Sequence, residues 1–422
     1  MTWPTKKLGE ICKVVKKEKA PIGTMPYIEI GNIDVESKKI NFTEKGAVKG
    51  SIFAPPNSIL ISRVRPTRGA VTFLDKKIAV SPAFTIIKPN PNYNPKLLFY
   101  FLGWNKKFFD YLGSKQKGTN YPSVRESDIL DFEISFPENL NEQEKIVSIL
   151  DAIQEAIEIQ EKIIEKTKEL KKSLMNLLFH YGVAGLRVKE LMSSRVGELK
   201  SEELEKLGLK LKKTEIGEIP EHWEVVRLGE VTEEIIYGIS KKGENEGKYP
   251  ILRMNNLEDG GINCQNIQYV DLEDKEFKKF KLEKGDVLFN RTNSLELVGK
   301  TSLFNLDGNF VFASYLLRIR TLNNRILSQY LNYFFNFEKT QKRLKTLASR
   351  GASQVNISAT RLANLKIPLP PLPEQQEITE ILQTIDQKIE IEKKKKELYE
   401  ELFKTMLNKI MNQEIDIDLL DY

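Results

Sequence analysis

Histidine and cysteine are nearly missing, with two of each in 422 residues. Cys12 and Cys264 exclude a disulfide framework and a four-cysteine zinc site. His180 and His222 are too few for a histidine-based metal centre, and neither has a cysteine or serine close in sequence for nucleophilic catalysis. No apolar run reaches the roughly eighteen residues that a membrane span needs. The opening Met-Thr-Trp-Pro-Thr-Lys-Lys has no signal-peptide pattern, so a reducing, cytoplasmic setting with no membrane is expected. Gly-x-Gly-x-x-Gly and Asn-Pro-Pro-Tyr patterns are absent. Gly299-Lys300-Thr301 resembles the end of a phosphate loop, but Ser294 stands where its first glycine belongs, so it reads as a turn entering a strand. The acidic stretch from Glu138 to Glu144 reads as helix capping, where carboxylates favour the macrodipole. These absences point away from an enzyme.

The chain does have apolar substance, at 40% hydrophobic and 9% aromatic, and a length that suits two or three domains. Its net charge of +6 hides a pattern. Residues 1–140 carry net +9, 141–182 net −2, 183–222 net 0, 223–372 net +5 and 373–422 net −6. Basic segments suit a polyanion, whereas acidic ones suit a protein partner.

A long internal repeat underlies this alternation. Trp3 with Lys7-Leu8-Gly9-Glu10 matches Trp223 with Arg227-Leu228-Gly229-Glu230 at an offset of 220. Glu29 to Ile33 matches Arg253 to Leu257 at 224, and Ser58 to Arg63 matches Asp286 to Arg291 at 228. Gly118, Val124 and Ile129 match Gly351, Ile357 and Leu362 at 233, and Glu142-Gln143 matches Glu374-Gln375 at 232. The slow drift is what loop insertions produce. Short β-rich runs such as Ser58 to Ser62 and Asp286 to Phe289 are bounded by Pro and Gly. One aromatic-rich helical stretch per repeat, Lys96 to Leu112 and Ile326 to Leu347, has the spacing of core packing.

The helices after each globular part are the clearest elements. Asn141 to Tyr181 contains no Pro or Gly, and Asn141 with Glu144 has capping-box spacing. Its apolar stripe runs through Ile146, Ile149, Ile153, Ala156, Ile163, Leu170 and Leu174, interrupted by Gln160 and Thr167, with a second ridge at Leu150, Ile157, Ile164 and Leu178. The second helix begins at Pro373, which suits a first helical turn, and its stripe runs through Ile378, Ile381, Ile385, Ile389, Tyr399, Leu402, Met406 and Ile410. Helices of about forty residues, about 60 Å long, must bury such stripes against a partner. The repeat supplies one, which predicts an antiparallel coiled coil within the chain and a pseudo-twofold arrangement; the alternative is the pairing of two chains. The expected fold is α+β: a mixed globular domain at 1–140, a long helix at 141–182, a connector at 183–222, a second domain at 223–372, and a second long helix with a tail at 373–422.

Matched loops carry the candidate contacts with a polyanion. Ser62 to Gly69 brings Arg63, Arg65 and Arg68, and its counterpart brings Asn290, Arg291 and Asn293. Lys115 to Tyr121 brings Lys115, Lys117 and Asn120, and its counterpart brings Arg350, Gln354 and Asn356. Arg can grip guanine and Asn or Gln can grip adenine through paired hydrogen bonds, while Lys mostly meets phosphate. The frames match and the loop chemistry differs, as two readers of different sequences would require. The competing reading is a coiled-coil scaffold without DNA specificity, whose loops are merely solvated.

The layout resembles the specificity subunit of type I restriction–modification systems. The resemblance rests on Trp-x-x-x-x-Leu-Gly-Glu at Trp3 and Trp223, on the connector Lys213 to Trp223, and on Ile367-Pro368-Leu369-Pro370-Pro371-Leu372-Pro373-Glu374-Gln375 entering a long helix. It covers essentially the whole chain. It implies two target-recognition domains, each reading half of a bipartite double-stranded DNA site, with the helices as spacer. It also implies a subunit with no chemistry and no cofactor of its own. Two modification subunits would bring S-adenosylmethionine, and restriction subunits would bring ATP and magnesium.

Overall fold

A computed structural model describes residues 3–23, 25–186, 209–258, 260–350, 354–415 and 417. The chain divides into two compact units, Met1–Lys162 with Glu392–Tyr422, and Ile163–Ile391. These units cut across the linear division at 140, 182, 222 and 372. Each unit takes a globular region together with part of both long helices, because the helices bury their apolar faces on the globular cores. Much of the expected connector, residues 187–208, lies outside the described residues; its end forms a hairpin of Leu211–Thr214 and Gly217–Pro220.

In the first unit a four-stranded antiparallel sheet has the order Cys12–Val14, Phe84–Pro89, Ser58–Ser62, Val71–Leu74. The strand Ser58–Ser62 is buried along its whole length, which fits its Ile59-Leu60-Ile61 centre and its place between two neighbours. A second sheet has Ile78–Val80 between Tyr27–Ile28 and Ile52–Ala54. Helices Pro95–Gly103 and Lys106–Lys115 complete the globular part. In the second unit the sheet Thr232–Tyr237, Leu316–Thr321, Val287–Asn290, Thr301–Leu303 repeats the first in order and register: Ile59 faces Ile87 as Val287 faces Ile319. Helices Ser328–Asn336 and Glu338–Thr346 follow it. The aromatic stretch expected as one helix is therefore two in each repeat. Asn105 caps the second helix of the first pair by accepting from Phe108 N, and extended backbone at Phe337 divides the other pair. The aromatics are core: Phe101, Phe108, Tyr330 and Phe335 are all buried.

The repeated sequence landmarks pin each long helix to its domain. The Trp3 indole donates to Glu142 Oε1 at 2.8 Å, and the Trp223 indole donates to Glu374 Oε2 at 2.9 Å. Gln143 is fully buried; it accepts from Asn94 N at 2.6 Å and donates to the carbonyls of Asn92 and Pro137 at 3.0 and 2.9 Å. Gln375 repeats this with Leu327 N, Arg325 O and Pro370 O at 2.9, 3.0 and 2.8 Å. Glu142 and Gln143 are thus pins rather than caps. The cap of the first helix is Asn139, whose side chain accepts from Asn141 N at 2.9 Å, so Asn141 is already inside the helix.

The long helices span Leu140–Tyr181 and Leu372–Met411. They run antiparallel: in the first unit Gln160 bonds Glu392 and Glu161 pairs with Lys396 at 3.2 Å, and in the second Lys171 pairs with Asp386 at 2.6 Å. The buried seam differs from the expected stripe. Gln160 and Thr167 lie in it, whereas Ile163 and Leu170 are 37% and 36% exposed. On the second helix Phe403 and Leu407 are buried, and Tyr399 and Leu402 face outward. The sequence offers two apolar ridges on each helix, and the globular core selects one. Gln160 and Glu392, which meet, are themselves counterparts in the repeat, 232 residues apart.

Candidate nucleic-acid interface

The two candidate loops of each domain come together. In the first domain Arg63 leaves the strand Ser58–Ser62, its N–H donates to Ala83 O at 3.0 Å, and its carbonyl accepts from Val124 N at 3.0 Å. In the second, Arg291 N donates to Tyr315 O at 3.0 Å and Arg291 O accepts from Ile357 N at 2.9 Å. Beyond these anchors Val64 bridges to Ser123, and Arg65 N donates to Pro122 O at 2.7 Å. The second domain forms the same register as strand pairs, Thr292 with Asn356 and Asn293 with Val355. Segments more than fifty residues apart in sequence thus form one surface in each domain.

Within that surface the candidates differ in freedom. Arg65 adopts a left-handed backbone, φ 48°, and lies 5.6 Å from the ring of Tyr121, which is 74% exposed. Arg68, Lys115, Lys117 and Asn120 are exposed in the same two loops. An arginine plane on an exposed ring is a usable surface for a base or phosphate. The sequence reading passed over Tyr121, although its position beside Asn120 in a basic loop was a signal.

Arg63 and Arg291 are held by the protein. The Arg63 guanidinium donates to Pro82 O and lies 3.8 Å from Glu126. Arg291 donates to Ser314 O at 3.3 Å, with its guanidinium 4.8 Å from the ring of Tyr237. Each therefore ties its loop to the neighbouring strand connection, and the Nε of each is buried. Asn290 departs from its expected role: it is 1% exposed and its amide donates to Leu297 O at 3.2 Å, which closes the loop from inside. Asn293 stays half-buried, donating to Met254 Sδ at 3.4 Å, and Asn356 donates to Thr292 Oγ1 at 2.9 Å. Gln354 is exposed. The backbone of Arg350 pairs with Val355, while its side chain lies outside the described residues.

The two histidines have local partners. His222 Nε2 is 2.8 Å from Glu374 Oε2, beside the Trp223 pin. His180 packs against the Tyr181 ring, and burial lowers its pKa from the ordinary histidine value. Among the described residues no three His, Cys, Asp or Glu side chains are grouped to hold a metal, and no helix is long and apolar enough to cross a membrane.

The family model for the type I restriction modification DNA specificity domain matches residues 1–169 and 220–401, once per repeat. The MjaVIII specificity subunit of Methanocaldococcus jannaschii is 28% identical over 444 residues, covering 100% of this chain and 94% of that one. The MjaX specificity subunit of the same organism is 37% identical over 206 residues, which is 48% of each chain. Among solved structures, the S subunit of a type I restriction–modification system from M. genitalium has a TM-score of 0.56 at 18% identity, covering 96% of this chain and 95% of that one. A chain solved in a study of complex assembly and conformational transition of the type I R-M system has a TM-score of 0.57 at 18% identity, covering 97% of each. These last two likenesses concern the fold.

Proposed function

Since this chain belongs to the type I restriction–modification DNA specificity family, we propose that each of its two domains reads one half of a bipartite, asymmetric DNA site. The observation that carries this reading is the matched pair of loops in each domain. Identical backbone anchors at Arg63 and Arg291 present different chemistry, Arg65 with Tyr121 in one domain and Asn293 with Gln354 in the other. Phosphate contacts from Arg68, Lys115 and Lys117 would position the duplex, and the differing polar tips would discriminate bases.

In this reading the chain contributes recognition and no catalysis. S-adenosylmethionine, ATP and magnesium belong to the modification and restriction subunits. The long helices are the surface for two modification subunits. Support comes from exposed apolar residues at matched places on each, Ile159 and Leu170 on the first, Ile391 and Leu402 on the second. Such pairs suit two copies of one partner.

Sequencing of methylated host DNA tests the proposal directly. A two-part motif, lost when this gene is deleted, is the expected outcome. Duplex binding by the assembled methyltransferase should also weaken steeply with salt, because phosphate neutralisation releases counterions. Binding insensitive to sequence and salt would instead favour a scaffold.

A further inference from the structure

A third loop belongs to the recognition surface of each domain, and its two copies end in different side chains. It is the turn Glu29 to Ile33 in the first domain and Arg253 to Leu257 in the second, matched in sequence at an offset of 224. Each turn leaves a strand, Tyr27–Ile28 or Tyr249–Leu252. The last carbonyl of that strand accepts from the connection that holds the matched arginine. Ile28 O accepts from Ser81 N at 2.8 Å, and Pro82 O and Ala83 O then accept from Arg63. Leu252 O accepts from Ala313 N at 2.9 Å, and Ser314 O and Tyr315 O then accept from Arg291. One short connection thus fixes the turn beside the arginine loop in both domains. In the second domain the two touch directly, with Asn293 Nδ2 3.4 Å from Met254 Sδ.

The frame of the turn is locked in the same way twice. Glu29 N donates to Asn32 Oδ1 at 2.8 Å, as Arg253 N donates to Asn256 Oδ1 at 3.0 Å. Asn32 O accepts from Asn41 N at 2.7 Å, as Asn256 O accepts from Asn263 N at 2.8 Å. Both asparagines are buried, and the Asn256 amide also donates to Asn263 O at 3.0 Å. The tips between these locks differ. In the second domain the tip is Asn255, which is exposed and whose side chain makes no hydrogen bond among the described residues. In the first it is Gly31, also exposed. A Cβ built on Gly31 meets no atom within 4 Å, and its backbone is not left-handed, so the fold does not demand glycine there. Glu29, whose counterpart is Arg253, is paired with Lys45 at 3.1 Å, which offsets its repulsion of a polyanion.

We propose that Asn255 is a specificity-determining residue of the second domain, reading one base pair of the second half-site beside Asn293, and that Gly31 leaves the matching place in the first half-site without a side-chain reader. This rests on the DNA-reading function proposed above and adds a third loop to it. A carboxamide offers a donor and an acceptor side by side, the pattern that pairs with the major-groove edge of adenine. The buried Asn256 holds the turn at its base, so little backbone freedom is lost when the tip meets a ligand. Glycine in the same frame presents only its backbone, which carries no matching pair of groups on a side chain. The two domains thus differ at the tip of the turn as they differ at the tips of the other loops.

The test uses the full chain in complex with its modification subunits, once the half-sites are known from methylated DNA. Discrimination is measured as the affinity ratio between the intact duplex and duplexes in which each base pair of the site is replaced in turn. Asn255→Ala should lower discrimination about tenfold or more at one base pair of the second half-site, in keeping with one paired hydrogen bond to a base edge. The other pairs of that half-site and the whole first half-site should stay level, which also reports that the variant is folded. Gly31→Asn, for which the turn has room, should change the preference at one base pair of the first half-site and leave the second as it is. Natural discrimination at every base pair in Asn255→Ala overturns the proposal. So does an even loss across the second half-site, which would mark a phosphate contact instead of base reading. Gly31→Asn without effect at any pair overturns the matching role of the two tips. Absence of any site-specific binding by the natural complex would instead refute the DNA-reading function itself.

Discussion

Asn290 and Arg291 are adjacent and have opposite fates. Composition and loop position recommend both as DNA contacts, but only packing shows that the asparagine turns inward to Leu297 O while the arginine leaves part of its guanidinium at the surface. The same distinction separates Arg63 from Arg65. Arg63→Ala should weaken binding and lower the melting temperature, because its guanidinium also ties the loop to Pro82. Arg65→Ala should weaken binding to the first half-site by about 1–3 kcal/mol with little change in melting. Thermal melts beside binding titrations separate the two, and equal melting losses would contradict this division of roles. At the helix entry, Gln143→Leu leaves the half-buried Asn94 N–H, the Asn92 carbonyl and the buried Pro137 carbonyl without their side-chain partner. A loss of about 2–4 kcal/mol in denaturant unfolding is expected, since each buried unsatisfied group costs about 1–3 kcal/mol. A loss below about 1 kcal/mol would mean that water or a neighbour replaces the amide.

The long helices show what periodicity can and cannot reveal. Their existence, their start near Pro373 and their antiparallel pairing were all legible, because an apolar three-and-four spacing sustained over about forty residues needs a partner. Which ridge is buried was not legible. Two neighbouring ridges are both apolar, and the choice depends on the core each helix meets. The buried pair of Gln160 and Glu392 follows from that choice. Gln160→Leu alone takes one hydrogen-bond donor from the buried Glu392 carboxylate, which still meets Lys395 Nζ at 3.3 Å, and should destabilise the protein by about 1–3 kcal/mol, whereas Gln160→Leu with Glu392→Leu should cost less than the sum of the two single changes. A double-mutant cycle measures the difference, and a double-variant loss equal to the sum of the two single losses would argue that the pair is not coupled. A second test concerns length. Seven residues inserted near Thr167 and again near Tyr399 preserve the seam and lengthen the rod by about 10 Å. If the helices set the gap between half-sites, the gap should grow by about three base pairs of 3.4 Å each. Methylation mapping reads the gap, and an unchanged value in an active complex would end the ruler interpretation.

At the scale of the whole molecule, two domains with a common frame and different loops should be exchangeable. Replacing residues 1–140 with the matching domain of a relative should alter one half-site and leave the other; simultaneous change of both, read from methylated DNA, would contradict independent reading. The repeat behind this expectation was determined by sequence alone. Trp3 and Trp223, Gln143 and Gln375, and Arg63 and Arg291 stand at nearly constant offsets, and each pair makes matching bonds because identical local frames demand the same donors and acceptors. The two basic domains, the two acidic helices and the antiparallel pairing were likewise determined there, since charge and periodicity are properties of the chain itself. Tertiary structure decided the rest. It set which segments share a surface, that Asn290 is buried, that Gln160 meets Glu392, and that Met254 lies against Asn293. Those contacts join residues far apart in the chain, and their geometry depends on how sheets and helices pack.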